Sequence, residues 1–162
     1  MKRVVLFTAV VALALAVGVL AQGKPDFSGK WVLDPEKTVM GGAPPGGGGG
    51  GRAGGGMGAA PITITQTATE LTMERMRGET VVKTIYKLDG SETVNETQMG
   101  KTTSVSKWDG AKLVTKLKSE TQRGTSESTE TRSLAADGTM VVENERQGQS
   151  GPVTSKMVYK KQ

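Results

Sequence analysis

Residues that favour tight turns punctuate the chain from Pro61 onward, at intervals of about 8–12 residues. They are Arg77-Gly78, Asp89-Gly90, Met99-Gly100, Asp109-Gly110, Arg123-Gly124 and Asp137-Gly138. Asp-Gly is a strong short-range hairpin signal because both residues tolerate the positive φ of a tight turn. The clearest case is Lys107–Val114, which predicts a hairpin with its turn at Asp109-Gly110. The regular spacing predicts a long meander of antiparallel strands.

The segments between the turns alternate between the two faces of a strand. Val82, Thr84, Tyr86 and Leu88 share one face, as the two-residue period of a strand requires. The predicted strands are 61–67, 69–77, 79–88, 91–98, 101–108, 111–119, 125–134, 139–146 and 153–161, with an earlier one around Trp31 that Pro35 ends. This pattern predicts an all-β fold, an up-and-down meander of about ten strands, with no long helix in the mature chain.

The composition favours closure of this meander into a barrel. Aromatic residues make up only 4% of the chain, which is too few for the thick core of a two-sheet sandwich. A closed barrel removes the exposed strand edges, and a polar, partly hydrated interior accommodates strands such as 92–98 that lack an apolar face. The alternative is an open meander of marginal stability.

The N-terminal segment has the pattern of a signal peptide. Lys2-Arg3 precede an apolar run from Val4 to Val19, and small residues lead to a cleavage position after Ala21. A membrane anchor is the alternative, but the run is short and no basic cluster follows it. We therefore expect residues 1–21 to be removed on export to the periplasm or the exterior, leaving 22–162 as one domain without a membrane span.

A glycine-rich segment interrupts this domain at 41–60. Twelve of the 18 residues from Gly41 to Gly58 are glycine, a composition typical of a disordered linker. A Gly/Arg segment that binds nucleic acid would need more arginine than Arg52 supplies. Loss of residues 1–21 would lower the formal net charge from +5 to +3, and the remaining charges of both signs are interspersed. We expect no nucleic-acid partner.

The chain contains neither cysteine nor histidine, which limits the chemistry available to it. Cys/His zinc sites, Ser-His-Asp triads and Cys-His dyads are excluded. The paired carboxylates Glu74/Glu79 and Glu143/Glu145 lack a supporting ligand or nucleophile pattern. We predict no catalytic residue, no metal and no cofactor. Asn95-Glu96-Thr97 matches the N-glycosylation acceptor pattern.

Motifs spread over most of residues 28–161 resemble, in their order, the calycins. They are Gly29–Asp34, Ile85–Gly90, Trp108–Val114, Thr131–Leu134 with Asp137-Gly138, and Val158–Lys161. The closest likeness is to the fatty-acid-binding branch of the intracellular lipid-binding proteins. The resemblance implies a ten-stranded barrel around a water-filled cavity that binds fatty acids, retinoids or bile salts and catalyses nothing.

The resemblance also implies where a ligand carboxylate would bind. Members of that family bind the ligand carboxylate through one arginine before the last hairpin and an Arg-x-Tyr pair in the final strand. Arg132 and Tyr159 stand at two of these positions, whereas Met157 replaces the arginine of the pair and Lys156 has the opposite parity. Two further departures are the glycine-rich segment in place of the family's helical lid, and export, because that branch is cytosolic.

Each candidate site residue has a structural alternative. Arg132 is either an inward ligand anchor or a solvated surface arginine in a polar strand, unpaired or paired with Glu130, which shares its strand face. Four large side chains either line a cavity or form plain core: Tyr86, Trp108, Met157 and Tyr159. We expect Trp31 to be structural. The sequence thus predicts an exported, non-enzymatic, lipocalin-like barrel that binds a small apolar or amphipathic ligand. The alternative is an envelope-associated structural or protein-interaction module with a flexible glycine-rich arm.

Overall fold

A computed structural model of the chain describes residues 23–41, 60–97, 100–122, 124–148 and 151–162. The predicted signal peptide at 1–21 lies outside these residues, as does 42–59, nearly all of the predicted linker. Within the described ranges, no helix has the length and apolar character that a membrane crossing requires.

The described residues form one antiparallel sheet of ten strands, which confirms the predicted all-β meander. The strands are β1 (Gly29–Leu33), β2 (Ile62–Gln66), β3 (Glu70–Arg77), β4 (Thr80–Lys87), β5 (Glu92–Thr97), β6 (Gly100–Asp109), β7 (Lys112–Thr121), β8 (Gly124–Leu134), β9 (Met140–Gly148) and β10 (Gly151–Lys161). Their spatial order is β4-β3-β2-β1-β10-β9-β8-β7-β6-β5. The first and last strands therefore pair, and Trp31 lies opposite Lys161.

The hairpin between β6 and β7 is confirmed, but its turn is centred one residue later than the Asp-Gly pair suggests. Asp109 ends β6 opposite Lys112, so the two central residues are Gly110 and Ala111. Gly110 has φ of 57°, and no non-glycine residue in the described ranges has a positive φ. A glycine at the first central position is typical of a type II′ turn, whose twist matches that of the strands.

The apolar core occupies one end of the barrel, beside the turns that follow β2, β4, β6 and β8. Its buried members are Phe27, Trp31, Ile62, Ile64, Leu71, Met73, Tyr86, Leu88, Leu113, Met140 and Val142. Trp31 is 1% exposed, and its Nε1 donates a hydrogen bond to the Phe27 carbonyl at 2.8 Å. This confirms the structural role predicted for Trp31. At the opposite end the inner wall is polar and increasingly exposed, so the barrel has one filled end and one open end.

The segment after β1 continues along the edge of β10. Val39 forms a β-bridge with Lys156, and the buried carboxylate of Asp34 lies 2.9 Å from the Lys160 ammonium. The hydrogen bond from Lys160 lowers the pKa of Asp34 below its ordinary value. These contacts hold the segment that follows β1 against the barrel wall.

Opposite charges face each other across the outer surface of the sheet. The pairs are Glu70–Lys87, Glu74–Lys83, Glu96–Lys101, Lys101–Glu120, Asp109–Lys112, Lys118–Glu127 and Glu143–Lys156. Directly opposed residues share a face, and opposite charges there stabilise the pairing whereas like charges would oppose it. The outer charge pattern therefore favours this one strand register.

The barrel is nearly closed, and side chains bridge the joint between β4 and β5, which share no backbone ladder. The Asn95 side-chain oxygen accepts a hydrogen bond from the Ile85 N–H at 2.8 Å, and its amide nitrogen donates to the Ile85 carbonyl at 2.9 Å. Thr93 Oγ1 accepts from the Lys87 N–H at 3.1 Å. The Asn95 amide thus takes the place of a backbone amide, and satisfies donors and acceptors that an edge strand leaves unpaired.

Replacing Asn95 with aspartate should weaken this joint. Asn95→Asp keeps an acceptor for the Ile85 N–H but sets a carboxylate against the Ile85 carbonyl, so we expect the free energy of unfolding to fall by about 1–3 kcal/mol. Chemical denaturation measures this change. The control is Glu92→Gln, an exposed residue of the same strand that lies opposite the uncharged Val105. Equal stability of the Asn95→Asp variant and the wild type would contradict a bridging role for this amide.

Candidate functional site

Five polar side chains from four strands converge inside the barrel, and we call them the polar cluster. They are Arg75 on β3, Tyr86 on β4, Glu130 and Arg132 on β8, and Tyr159 on β10. The register places each on the inward face, because opposed residues share a face all the way round the sheet from Trp31. Two guanidinium groups, two phenols and one carboxylate give the cluster a net positive charge.

Arg132 lies at the boundary between the apolar core and this cluster. It is 3% exposed, and its Nη2 lies 2.6 Å from Glu130 Oε1. The rings of Phe27 and Tyr86 flank the guanidinium, each with its centroid 6.0 Å away. The buried Nε and Nη1 have no hydrogen-bond partner among the described residues. The pairing with Glu130 was one of the sequence alternatives, but the solvated surface position expected with it is wrong, because Arg132 is buried. Glu130 also leaves further N–H donors of the guanidinium without an acceptor.

The two tyrosines of the cluster stay neutral over a wide pH range. Burial, followed by the nearby carboxylate of Glu130, raises the pKa of Tyr86 to about 12. Burial also raises the pKa of Tyr159, whose hydroxyl donates to Met157 Sδ at 3.5 Å. Thioether sulfur is a weak acceptor, so an oxygen acceptor would compete for the Tyr159 hydroxyl. Both phenols are thus hydrogen-bond donors near neutral pH.

Arg75 is the member of the cluster that sequence reasoning missed. It lies opposite Ile62 and Val82 on the inner face, and its guanidinium reaches Met73 Sδ at 3.7 Å. It forms no ion pair with a carboxylate of the described residues. Arg75 supplies a second guanidinium from the other side of the barrel, whereas the final strand has Met157. Leu71, Met73 and Arg75 alternate along β3, and this alternation could have indicated that Arg75 faces inward with the two apolar residues.

The remaining two candidates, Met157 and Trp108, lie in different parts of the barrel. Met157 is half-buried on the inner face opposite Val142, beside Tyr159. Trp108 lies at the filled end, where its ring stacks on Phe27 with centroids 6.0 Å apart. Phe27 therefore contacts both Trp108 and Arg132. Trp108 also lines a cavity of about 320 Å³ at the end of the barrel with Lys24 and Leu88, among others.

The inner wall beyond the polar cluster opens into a recess towards the open end. On β8 and β9 its lining includes Ser126, Ser128, Asn144 and Arg146, around a volume of about 500 Å³. Asn144 lies directly opposite Glu130, so the recess borders the polar cluster. Within the described parts of the chain, no group of three or more Asp, Glu, His or Cys side chains is placed to hold a metal ion.

The raised tyrosine pKa predicts a loss of stability at high pH. A phenol with a pKa of about 12 when folded and 10.0 ordinarily holds its proton longer in the folded state. The stabilisation of the folded state by this retained proton is complete below pH 10 and is lost as the pH rises towards 12. We expect Tyr86→Phe to remove roughly 2–3 kcal/mol of this decline, measured by denaturation across that range. Identical pH profiles of the variant and the wild type would contradict the assignment.

No protein-family model matches the chain, and a search of curated proteins finds no match. Among solved structures, the chain is similar to that of a REP1-NXSQ fatty acid transporter, with 13% identity and a TM-score of 0.54 over 83% of this chain and 95% of that one. It is also similar to a secretary abundant heat soluble (SAHS) protein from Ramazzottius varieornatus. That match has 16% identity and a TM-score of 0.59 over 88% of this chain and 98% of the other.

Identities this low are evidence about the fold alone. The similarity to the two structures accords with the nearly closed antiparallel barrel of ten strands. The chain has the calycin-like barrel fold that its sequence predicted.

Proposed function

We propose that this protein binds a small amphipathic molecule with an anionic group inside the barrel, and that it catalyses no reaction. The observation that carries the proposal is the buried guanidinium of Arg132, whose Nε and Nη1 lack a partner among the described residues. Unsatisfied donors on a buried charge are costly. A ligand carboxylate would satisfy them, since its two oxygens match the planar fork of an arginine.

The neighbouring groups support an anionic ligand. Arg75 and Arg132 carry two positive charges, and Glu130 offsets only one of them. Tyr86 and Tyr159 add two neutral hydroxyl groups. The polar cluster therefore has spare hydrogen-bond donors and an excess of positive charge, which an anion complements and a cation does not. The low dielectric of the adjoining core strengthens such a contact.

The apolar part of the ligand would lie along the inner wall towards the open end. Half-buried apolar side chains recur there among the polar ones: Val82, Leu117, Val153 and Met157. Together with the recess they offer a surface on which an alkyl or ring system loses contact with water. One of the similar solved structures is that of a fatty acid transporter, which supports this class of ligand. The lack of histidine and cysteine in the chain supports a binding role without catalysis.

Dodecanoate is a suitable probe for this site, with binding measured by calorimetry. We expect Arg132→Gln to weaken binding about tenfold or more, because it removes a charge-assisted contact. Glu130→Gln should instead strengthen binding several-fold. It keeps an oxygen acceptor for Arg132 Nη2 but removes the negative charge that competes with the ligand.

The opposite signs of these effects separate ligand binding from a purely structural ion pair. Lys116→Gln on the outer face is the control for net charge, and thermal unfolding verifies that each variant is folded. A Glu130→Gln variant that folds yet binds dodecanoate no better than the wild type would count against Arg132 as the anchor. If the folded wild type binds no amphiphile, the interaction-module alternative gains.

We also propose that the protein is exported. The support is the charged Lys2-Arg3 pair, the apolar run that follows it and the small residues that end at Ala21. Expression of the full chain in a bacterial host should give a protein whose mature N-terminus is Gln22, recovered from the periplasm or the medium. Intact-mass measurement checks this. A cytoplasmic product that retains Met1 would contradict export.

A further inference from the structure

Arginine and lysine are segregated by the barrel wall. All four arginines in the described ranges face inward: Arg75, Arg77, Arg132 and Arg146. Of the eleven lysines on the described strands, ten face outward, and Lys161 opposite Trp31 is the exception. Both residues supply positive charge and solubility, so charge alone does not explain the division. A guanidinium differs in presenting a rigid fork that binds carboxylate or phosphate oxygens in pairs.

Among these inward arginines, Arg75 and Arg146 have no acidic partner on the described inner wall. Among the described strands, Glu130 is the one acidic residue with inward parity, and it pairs with Arg132. Arg146 forms no ion pair with a described carboxylate, and nor does Arg75. The uncompensated positive charge therefore extends from the polar cluster to the open end.

Arg146 lies in a polar recess that borders the polar cluster. The recess of about 500 Å³ has the hydroxyls of Ser126 and Ser128 and the amide of Asn144 in its lining. Glu127 also borders it, but this residue lies on the outer face opposite Lys118. Arg146 is directly opposite Ser128, four residues along β8 from Arg132. At the rise of a β-strand, this separation is about 13 Å.

We propose that Arg146, with Ser126, Ser128 and Asn144, forms a second anionic subsite at the open end of the barrel. This inference rests on the proposed binding of an amphipathic anion at Arg132. The ligand class is then an amphiphile with an anionic group at each end, such as a medium-chain dicarboxylate. One end would bind at the polar cluster and the other at Arg146, with the apolar middle against the wall between them.

The two subsites differ in strength because they differ in exposure. The Arg132 guanidinium is buried, whereas Arg146 is exposed. Water and salt screen a pair at an exposed arginine far more than at a buried one. The second subsite therefore adds selectivity for the doubly charged ligand more than it adds affinity, and its contribution falls as ionic strength rises.

The test compares dodecanedioate with dodecanoate by calorimetry on the mature chain at low salt. The wild type should bind the dicarboxylate about fivefold more tightly. Arg146→Gln should abolish this preference, and high salt should weaken the preference in the wild type. Lys116→Gln, which removes the same charge from the outer face, should keep the preference.

Equal affinities of the wild type for the two acids would overturn the second subsite but not the proposed function. A preference for the dicarboxylate that survives Arg146→Gln would also overturn it. If neither acid binds to the folded wild type, the proposed function fails, and the second subsite fails with it.

Discussion

Burial of a single apolar cluster at one end of the barrel is the interaction on which the rest of the structure depends. Phe27 and Trp31 are nearly inaccessible to water and lie at its centre, where a Trp31 hydrogen bond to the Phe27 carbonyl fixes their geometry. With 4% aromatic residues, the chain has too little bulky apolar side-chain volume to fill a ten-stranded barrel. The strands therefore extend beyond the core, and their inner face there must be polar. An open recess with exposed polar side chains is the consequence.

The Glu130–Arg132 pair lies where this core gives way to the recess. A charge at such a boundary has lost much of its hydration, so it needs partners that the protein itself must provide. Glu130 forms an ion pair with the Arg132 guanidinium at 2.6 Å, and the rings of Phe27 and Tyr86 flank the guanidinium. The unmatched donors make Arg132 receptive to an anion, while the carboxylate of Glu130 opposes one. The balance between these two side chains sets how strongly an anionic ligand would bind.

Local patterns predicted most of the fold, because turn residues and two-residue alternation act over short stretches of chain. The same alternation indicated that Glu130 and Arg132 share a face. It did not reveal Arg75 as their neighbour, because β3 and β8 are brought together only by the pairing of β1 with β10. Asn95 shows the same limit. Its sequence pattern suggested a glycosylation acceptor, whereas its amide bridges β4 and β5 by contacts that depend on the closed barrel.

The barrel wall separates two surfaces with independent requirements. Outward residues are matched in charge across strands, as at Glu74–Lys83, so they favour one register and keep the surface hydrated. Inward residues near the open end contribute little to the core, so they can vary without loss of the fold. Stability does not require arginine at an exposed inward position such as Arg146, so its placement there accords with the anionic subsite that we propose for the recess.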